Sequence, residues 1–431
     1  MPREAYEVEQ HDEDRAVLVG IERARTDGWA VEDDLAELER LADTAGARVI
    51  ATVTQRLDKP NPRTFIGSGK AEEVLRIASA EDANTVIFDD ELSPSQQANL
   101  EGLLPDIRVI DRTQLILDIF AMHAQSHEGK LQVELARLEY LLPRLRGMWG
   151  HLEAERLGGG RGARFGAGES QLETDRRLTR RRIAELKREL KDVARARAVQ
   201  RASRARSGVY RVALVGYTNA GKSTLMNALT AAGVLVQDQL FATLDATTRR
   251  LDLPDGRAVT LTDTVGFINK LPHGLVEAFK STLDEVREAD LLLHVVDASH
   301  PNAGAQIAAV KVVLEEIGAA DKPQLVAYNK ADRLLEQDRA RLAGMPGAVV
   351  ISAETGTGLD SLKSRIVIVA AHTDRAWTVL IPYDRGELVQ LAHERGHVLA
   401  EEHTENGTRL SFVAPDSVVS RFAEFIAAER A

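Results

Sequence analysis

Between Val209 and Leu229 the chain reads strand, glycine-bounded loop, helix, and few folds hold those three in that order. Val209-Tyr210-Arg211-Val212-Ala213-Leu214-Val215 has the length and apolar content of a buried strand, and it runs directly into Gly216-Tyr217-Thr218-Asn219-Ala220-Gly221-Lys222-Ser223. The helical stretch from Thr224 to Leu229 follows at once. Glycines at 216 and 221 let the backbone turn so that successive amide hydrogens face one point, and the positive end of the helix adds to them. The product is a phosphate-cradling P-loop in its required strand–loop–helix context, which implies an α/β domain with a mainly parallel sheet and helices on both faces. Lys222 is placed to reach the β and γ phosphates as a point charge, and the Ser223 hydroxyl to ligate magnesium.

Three later motifs extend this reading. The apolar Ala258-Val259-Thr260-Leu261-Thr262 ends in Asp263-Thr264-Val265-Gly266. A carboxylate at a strand end supplies the magnesium shell, and a glycine amide beside it can contact a γ-phosphate. After Leu325-Val326-Ala327-Tyr328 stands Asn329-Lys330-Ala331-Asp332. An aspartate accepts from N1–H and the exocyclic amino group of guanine, a pairing that adenine cannot supply, so Asp332 makes this a guanine site. Val349-Val350-Ile351 ends in Ser352-Ala353-Glu354, whose backbone amides can hold the guanine O6. Phe267 directly follows Gly266; a phenyl ring cannot orient an attacking water as an amide does, so intrinsic hydrolysis is expected to be slow.

At 431 residues the chain is long enough for several domains. Residues 1–14 read as a flexible acidic tail. Residues 15–125 alternate strand and helix patterns, predicting a small α/β domain with strands at 16–21, 48–53 and 85–88 and helices at 33–45 and 68–80. Residues 126–207 predict a helical hairpin, with helices at about 130–147 and 172–206. Its two arms are separated by the glycine- and arginine-rich segment 157–168, too rich in glycine for a regular element. Residues 208–371 form the nucleotide domain, and 376–431 a small α+β domain of three strands, a helix and a final helix. No stretch is long and apolar enough to span a bilayer, and there are no cysteines. A cytoplasmic monomer is the expectation, with peripheral membrane contact through the basic helix as a weaker alternative.

Four nucleotide motifs in this order and spacing resemble the translation-factor-related class of P-loop GTPases. Two further segments narrow the likeness. Phe241-Ala242-Thr243-Leu244-Asp245-Ala246-Thr247-Thr248-Arg249 resembles switch I of the HflX family, and Gly168-Glu169-Ser170-Gln171-Leu172-Glu173-Thr174-Asp175-Arg176-Arg177 is similar to the signature joining that family's helical region to its G domain. The resemblance implies a GTPase that hydrolyses GTP to GDP and phosphate. It implies a site built from Gly216, Tyr217, Thr218, Asn219, Ala220, Gly221, Lys222, Ser223, Phe241, Ala242, Thr243, Leu244, Asp245, Asp263, Thr264, Val265, Gly266, Asn329, Lys330, Ala331, Asp332, Ser352, Ala353 and Glu354. Lys222, Thr243 and Gly266 are the candidate catalytic residues. Magnesium would be held by Ser223 and Thr243 directly and by Asp263 through water, with Thr247 the alternative to Thr243. Asn219 matches an asparagine that helps bind potassium in relatives, or else it only caps the loop. Lys59-Pro60-Asn61-Pro62-Arg63-Thr64-Phe65-Ile66-Gly67-Ser68-Gly69-Lys70 resembles the family's N-terminal signature, which has been linked with ATP, yet a turn before a helix explains it as well.

The formal charge is -11, but the cations are not evenly spread. From Arg176 to Arg206 Lys and Arg dominate, with few acidic residues. A solvated helix face accounts for such a block, as does a polyanion partner. The family likeness implies the latter: the large ribosomal subunit near its peptidyl-transferase centre, contacted through Arg161, Arg164, Arg176, Arg177 and Arg180, with stalled or idle ribosomes split into subunits. A signalling or scaffold protein gated by bound nucleotide is the competing class.

Overall fold

The computed structural model describes residues 14–23, 29–145, 167–205, 209–230, 240–241, 243–270, 280–371 and 374–425. The chain divides into two compact units. The first comprises residues 1–190 with 239–242 and 269–279; the second comprises 191–238, 243–268 and 280–431.

In the first unit β1 (Arg15–Glu22), β2 (Arg48–Arg56), β3 (Thr85–Phe88) and β4 (Arg108–Asp111) make a parallel sheet in the order β2-β1-β3-β4. Between and after them come α1 (Val31–Thr44), α2 (Ser68–Ala80), α3 (Pro94–Leu103), α4 (Arg112–His123) and α5 (His127–Leu141). Local chemistry starts three of these helices: Ser93 accepts from the Gln96 amide, Asp111 from Gln114 and Ser126 from Gly129, each satisfying an orphan donor of a first turn. Val17, Val19, Val86 and Phe88 are fully buried with Val74 and Leu100 in one apolar core. The fourth strand and the helices α3 and α4 are more than the periodicity at 15–119 resolves.

The segment 59–70 forms a turn and then a helix start. Asn61 and Phe65 exchange backbone hydrogen bonds, the Gly67 amide donates to Gln55, and Lys70 pairs with Glu73 inside α2. Gly67 keeps an ordinary negative φ of -66° as the N-cap of α2.

Helix α6 (Ala167–Ala205) is one uninterrupted element that begins five residues earlier than expected and takes Ala167 and Gly168 into its first turn. The remainder of the glycine-rich segment, with Arg161 and Arg164, and the tail 1–13 lie outside the described residues. Leu131 and Leu135 of α5 share a small apolar seam with Ile183 and Leu186 of α6, flanked by the Arg182–Glu134 and Lys187–Glu139 ion pairs.

The second unit holds a six-stranded sheet ordered β10-β9-β8-β5-β7-β6. Its strands are β5 (Arg211–Val215), β6 (Thr247–Asp252), β7 (Ala258–Asp263), β8 (Leu291–Asp297), β9 (Gln324–Asn329) and β10 (Ala348–Val350). All pairings are parallel except β6–β7 at the edge. The helices are α7 (Lys222–Thr230), α8 (Lys280–Glu288), α9 (Ala303–Glu316), α10 (Glu336–Ala343) and α11 (Leu359–Ala371). Val212, Leu214, Leu261, Leu293 and Ala327 line one buried face with Leu225 and Ile366 from the helices. The strands read as near-continuous apolar runs because a central parallel sheet is covered on both sides.

Last comes an antiparallel sheet ordered β11-β13-β12, from β11 (Asp374–Ile381), β12 (His397–Thr404) and β13 (Gly407–Pro415), packed on α12 (Gly386–Arg395) through Phe412, Leu410 and Ala392. Where a final helix is expected, the described residues form one α turn, Asp416–Val419, and a 3-10 segment, Ser420–Phe425.

Candidate nucleotide site

Strand β5 lies between β8 and β7, and the order of connections reverses around it, so the loop after β5 opens at the carboxyl edge where α/β sheets receive ligands. Gly216 has φ +152° and a Cβ there would stand 2.2 Å from the Val295 carbonyl oxygen; Gly221 has φ +90°. Only glycine permits both the turn and the approach. Lys222 is buried with its ammonium curled back over the loop, donating to the carbonyls of Gly216 at 3.1 Å and Tyr217 at 2.9 Å. Burial pushes its pKa down to about 8, with Asp263 pulling the other way. A triphosphate placed in the loop would further favour the ammonium form.

Beside it three oxygens converge. Ser223 Oγ lies 2.8 Å from Thr243 Oγ1 and donates to Asp263 Oδ2 at 2.6 Å, while Thr243 Oγ1 reaches the same carboxylate oxygen at 3.1 Å. The other carboxylate oxygen, Asp263 Oδ1, is buried with no hydrogen-bond partner among the described residues. Burial raises the Asp263 pKa against the opposing pull of Lys222 and the two hydroxyls. A pair of hydroxyls and a carboxylate with spare acceptor capacity is the donor set of a hard divalent cation, so these residues fit magnesium. Thr247 is exposed at the start of β6, and of the two candidate threonines it is Thr243 whose hydroxyl joins the group.

Gly266 packs so closely that a Cβ would meet Thr218 Cγ2 at 2.8 Å and Lys222 Nζ at 2.9 Å. The next residue explains the proximity: Phe267 N–H donates to the Gly216 carbonyl at 3.1 Å and its own carbonyl accepts from the Thr218 amide at 2.7 Å. Thr264 Oγ1 donates to the Leu214 carbonyl at 2.6 Å, tying the same segment to the end of β5. Phe267 is itself buried, so its ring is part of the packing and offers nothing to water.

At the far end of the sheet Asn329 faces the protein. Its Nδ2 donates to the Ala220 carbonyl and its Oδ1 accepts from the Ala353 amide, both at 2.9 Å. Asp332 accepts from Ser352 Oγ at 2.5 Å through Oδ1. The Ser352 amide donates to the Thr357 carbonyl and that of Ala353 to Asn329, which leaves the Glu354 amide of the three expected to hold a guanine oxygen. Lys330 adopts the left-handed conformation (φ +63°) and pairs with Asp297 at 2.8 Å. Burial raises Asp297, but the Lys330 and Ser299 contacts outweigh it and hold its carboxyl below the usual range.

The chain matches three family models in succession: GTP-binding GTPase N-terminal over residues 32–121, GTP-binding GTPase Middle Region over 123–204, and 50S ribosome-binding GTPase over 211–330. It is 46% identical over 415 residues to the GTPase HflX of Caldanaerobacter subterraneus subsp. tengcongensis, covering 96% of this chain and 94% of that protein. The chain belongs to the HflX family of GTPases. The GTPase HflX of Escherichia coli (strain K12) is 46% identical over 380 residues, covering 87% of this chain and 88% of that one. A solved GTP-binding protein from Sulfolobus solfataricus in complex with GDP covers 83% of this chain and 99% of its own, at 25% identity and a TM-score of 0.44. As an HflX-family GTPase the chain binds GTP and hydrolyses it to GDP and phosphate.

Not every residue expected at the HflX-family site is gathered there. Phe241 belongs to the first unit, where its ring is buried edge-on against Phe120 at 4.7 Å between centroids. Leu244 is buried in the second unit, and Ala242 lies outside the described residues. Asn219 is exposed with φ +58° and its carboxamide makes no hydrogen bond among the described residues, so it does not cap the loop. Asp297 was not apparent from the sequence, although an acidic residue ending a strand next to β9 was the available signal. Asp297→Ala is expected to leave Lys330 without its carboxylate and weaken GTP binding about ten-fold, about 1.4 kcal/mol, as read by fluorescence titration with a GTP analogue. An affinity within two-fold of the parent would show that the ion pair does not shape the base site.

Proposed function

We propose that this GTPase is a switch whose activating partner is the large ribosomal subunit, and that its GTP cycle splits stalled or idle ribosomes. Ser223 and Thr243 would hold Mg2+ directly and Asp263 through water, supplying a charge that draws electron density from the phosphates. Lys222 would neutralise the β and γ oxygens, and the Gly266 amide would meet the γ-phosphate. The exposed Asn219 carboxamide is suited to K+, so turnover would be faster in potassium than in sodium chloride. The remaining P-loop residues would cradle the phosphates and those of 329–332 and 352–354 the guanine, and we assign the domains to 15–125, 126–207, 208–371 and 376–431, with a cytoplasmic monomer as the working unit.

The observation that carries the ribosomal reading is the arginine-rich face of α6, joined to a nucleotide domain whose family model is described as a 50S ribosome-binding GTPase. Arg177 and Arg180 are exposed on that helix and Arg176 is half-buried; Arg180 meets Glu173 at only 3.8 Å, between two exposed side chains, a pairing of little energy. Unlike Arg182 and Lys187, which serve α5, these are available to phosphates. Because the helix carries no aromatic platform, contacts to backbone and shape are expected rather than base reading.

The test is GTP hydrolysis alone and with purified large subunits, with Lys222→Ala as the blank. Stimulation by about ten-fold or more, about 1.4 kcal/mol off the barrier, is expected, and Arg176, Arg177 and Arg180 together changed to Ala should lower it. A rate indifferent to ribosomes would remove the partner while leaving the GTPase in place.

A further inference from the structure

Thr218 stands inside the P-loop, between Gly216 and Gly221. It is only 7% exposed, yet its Oγ1 is buried without a hydrogen-bond partner among the described residues. A hydroxyl taken out of water and left unpaired is costly. The neighbouring hydroxyls are all used: Ser223 and Thr243 meet Asp263, and Thr264 donates to the Leu214 carbonyl. The main chain of Thr218 is engaged as well, its amide donating to the Phe267 carbonyl at 2.7 Å. Its side-chain oxygen therefore does nothing for the fold that a methyl group would not do.

The place of that side chain is informative. A Cβ on Gly266 would stand 2.8 Å from Thr218 Cγ2, 2.9 Å from Thr218 Cα and 2.9 Å from Lys222 Nζ. The methyl of Thr218, the backbone of Gly266 and the loop ammonium thus meet at one spot. The last two are the groups assigned to the γ-phosphate. Oγ1 shares its Cβ with that methyl, and staggered wells lie about 120° apart, so one rotamer step carries the hydroxyl to the methyl's place, facing Gly266.

The chemistry of the reaction has a use for a donor there. As the γ-phosphoryl group transfers, negative charge spreads over its equatorial oxygens, and preorganised donors aimed at them lower the barrier. Phe267 contributes none from its side chain, which is buried and apolar. A threonine O–H is such a donor, and the substrate would supply the partner that the hydroxyl lacks within the protein.

We propose that Thr218 is a catalytic residue: with GTP bound, its hydroxyl turns toward Gly266 and donates to a γ-phosphoryl oxygen beside Lys222 Nζ and the Gly266 amide. This rests on the reading of Lys222 and Gly266 as γ-phosphate contacts.

The experiment measures single-turnover hydrolysis at saturating GTP in the full chain, with GDP affinity beside it. Thr218→Val keeps the methyl against Gly266 and removes only the hydroxyl. It is expected to slow hydrolysis about ten-fold, while GDP, which lacks the γ-phosphate, binds within about two-fold of the parent. Affinity for GDP with aluminium fluoride, a mimic of the transferring group, should fall by a similar factor. Thr218→Ser, which retains the O–H, should recover most of the rate. If Thr218→Val does not fold, Thr218→Ala carries the same test. A rate for the hydroxyl-free variant within about two-fold of the parent, a Thr218→Ser rate no better than that variant's, or a loss of GDP affinity in step with the rate overturns the proposal. Failure of the underlying reading would look different, since Gly266→Ala, whose methyl would strike Thr218 and Lys222, would then hydrolyse GTP at the parental rate.

Discussion

Asp332→Asn is expected to weaken GTP binding by roughly a hundred- to a thousand-fold, about 2.7–4 kcal/mol, and to confer binding of xanthosine triphosphate. The carboxylate follows β9 in a short 3-10 turn and its Oδ1 is oriented by the Ser352 hydroxyl. Both of its oxygens act as acceptors, matching the two donors on the edge of guanine. A carboxamide replaces one acceptor by a donor, so an N–H of guanine meets an N–H of the protein and both lose their partners. Xanthine carries a carbonyl where guanine carries its amino group, and the new donor suits it. Competition titrations of the four nucleoside triphosphates and xanthosine triphosphate would read the exchange directly. Equal affinity of parent and variant for GTP would place the base elsewhere.

Gly221→Ala is expected to lower GTP affinity by at least about a hundred-fold, about 2.7 kcal/mol, with only a small change in melting temperature. The reason lies in what a methyl group would strike. A Cβ at Gly221 would stand 2.3 Å from Asn329 Nδ2, and φ is already +90°. Asn329 cannot retreat without losing Ala220 on one side and Ala353 on the other. One methyl therefore disturbs the phosphate loop and both guanine-side motifs together. Equilibrium binding with GTP and with GDP checks it; because the damage is to the shared frame, both should weaken alike. A loss confined to GTP would mean that the loop keeps its shape and only γ-phosphate contacts suffer.

The legibility of this site in the sequence follows the range of its interactions. Residues 209–229 were readable because strand, loop and helix are contiguous and glycine is required at two of their positions. Ser223 and Asp263 were reached through chemistry, since a hydroxyl after the loop lysine and a carboxylate at a strand end have few other uses together, whereas Thr243 came only from the likeness of 241–249 to the family's switch I, which left Thr247 open. What local pattern does not carry is which way a side chain turns when its partner is far along the chain. Asn329 looks like a base contact beside Asp332, yet its partners are 109 residues before it and 24 after. Phe241 sits two residues before Thr243, and nothing in that spacing announces a ring buried against Phe120. Lys270 finds Asp89 at a separation of 181 residues. The sheet of the first unit was read in part: the strand at 85–88 was anticipated, but β4 has only four residues, too few for alternation to separate strand from buried loop.

The ion pairs along α6 bear on how the helix would behave toward any polyanion. Arg182 is engaged bidentately by Glu134, Lys187 by Glu139, and Arg181 by Glu185. Counterions released on binding come from the charges that actually replace them at phosphates, about one for each contact, and a cation already facing a carboxylate releases few. The effective valence of the helix is therefore smaller than its tally of Lys and Arg. Rising ionic strength also loosens these exposed internal pairs, returning cations to solution as phosphate contacts weaken. Attraction to a polyanion should consequently fall more gently with salt than the composition of the helix suggests.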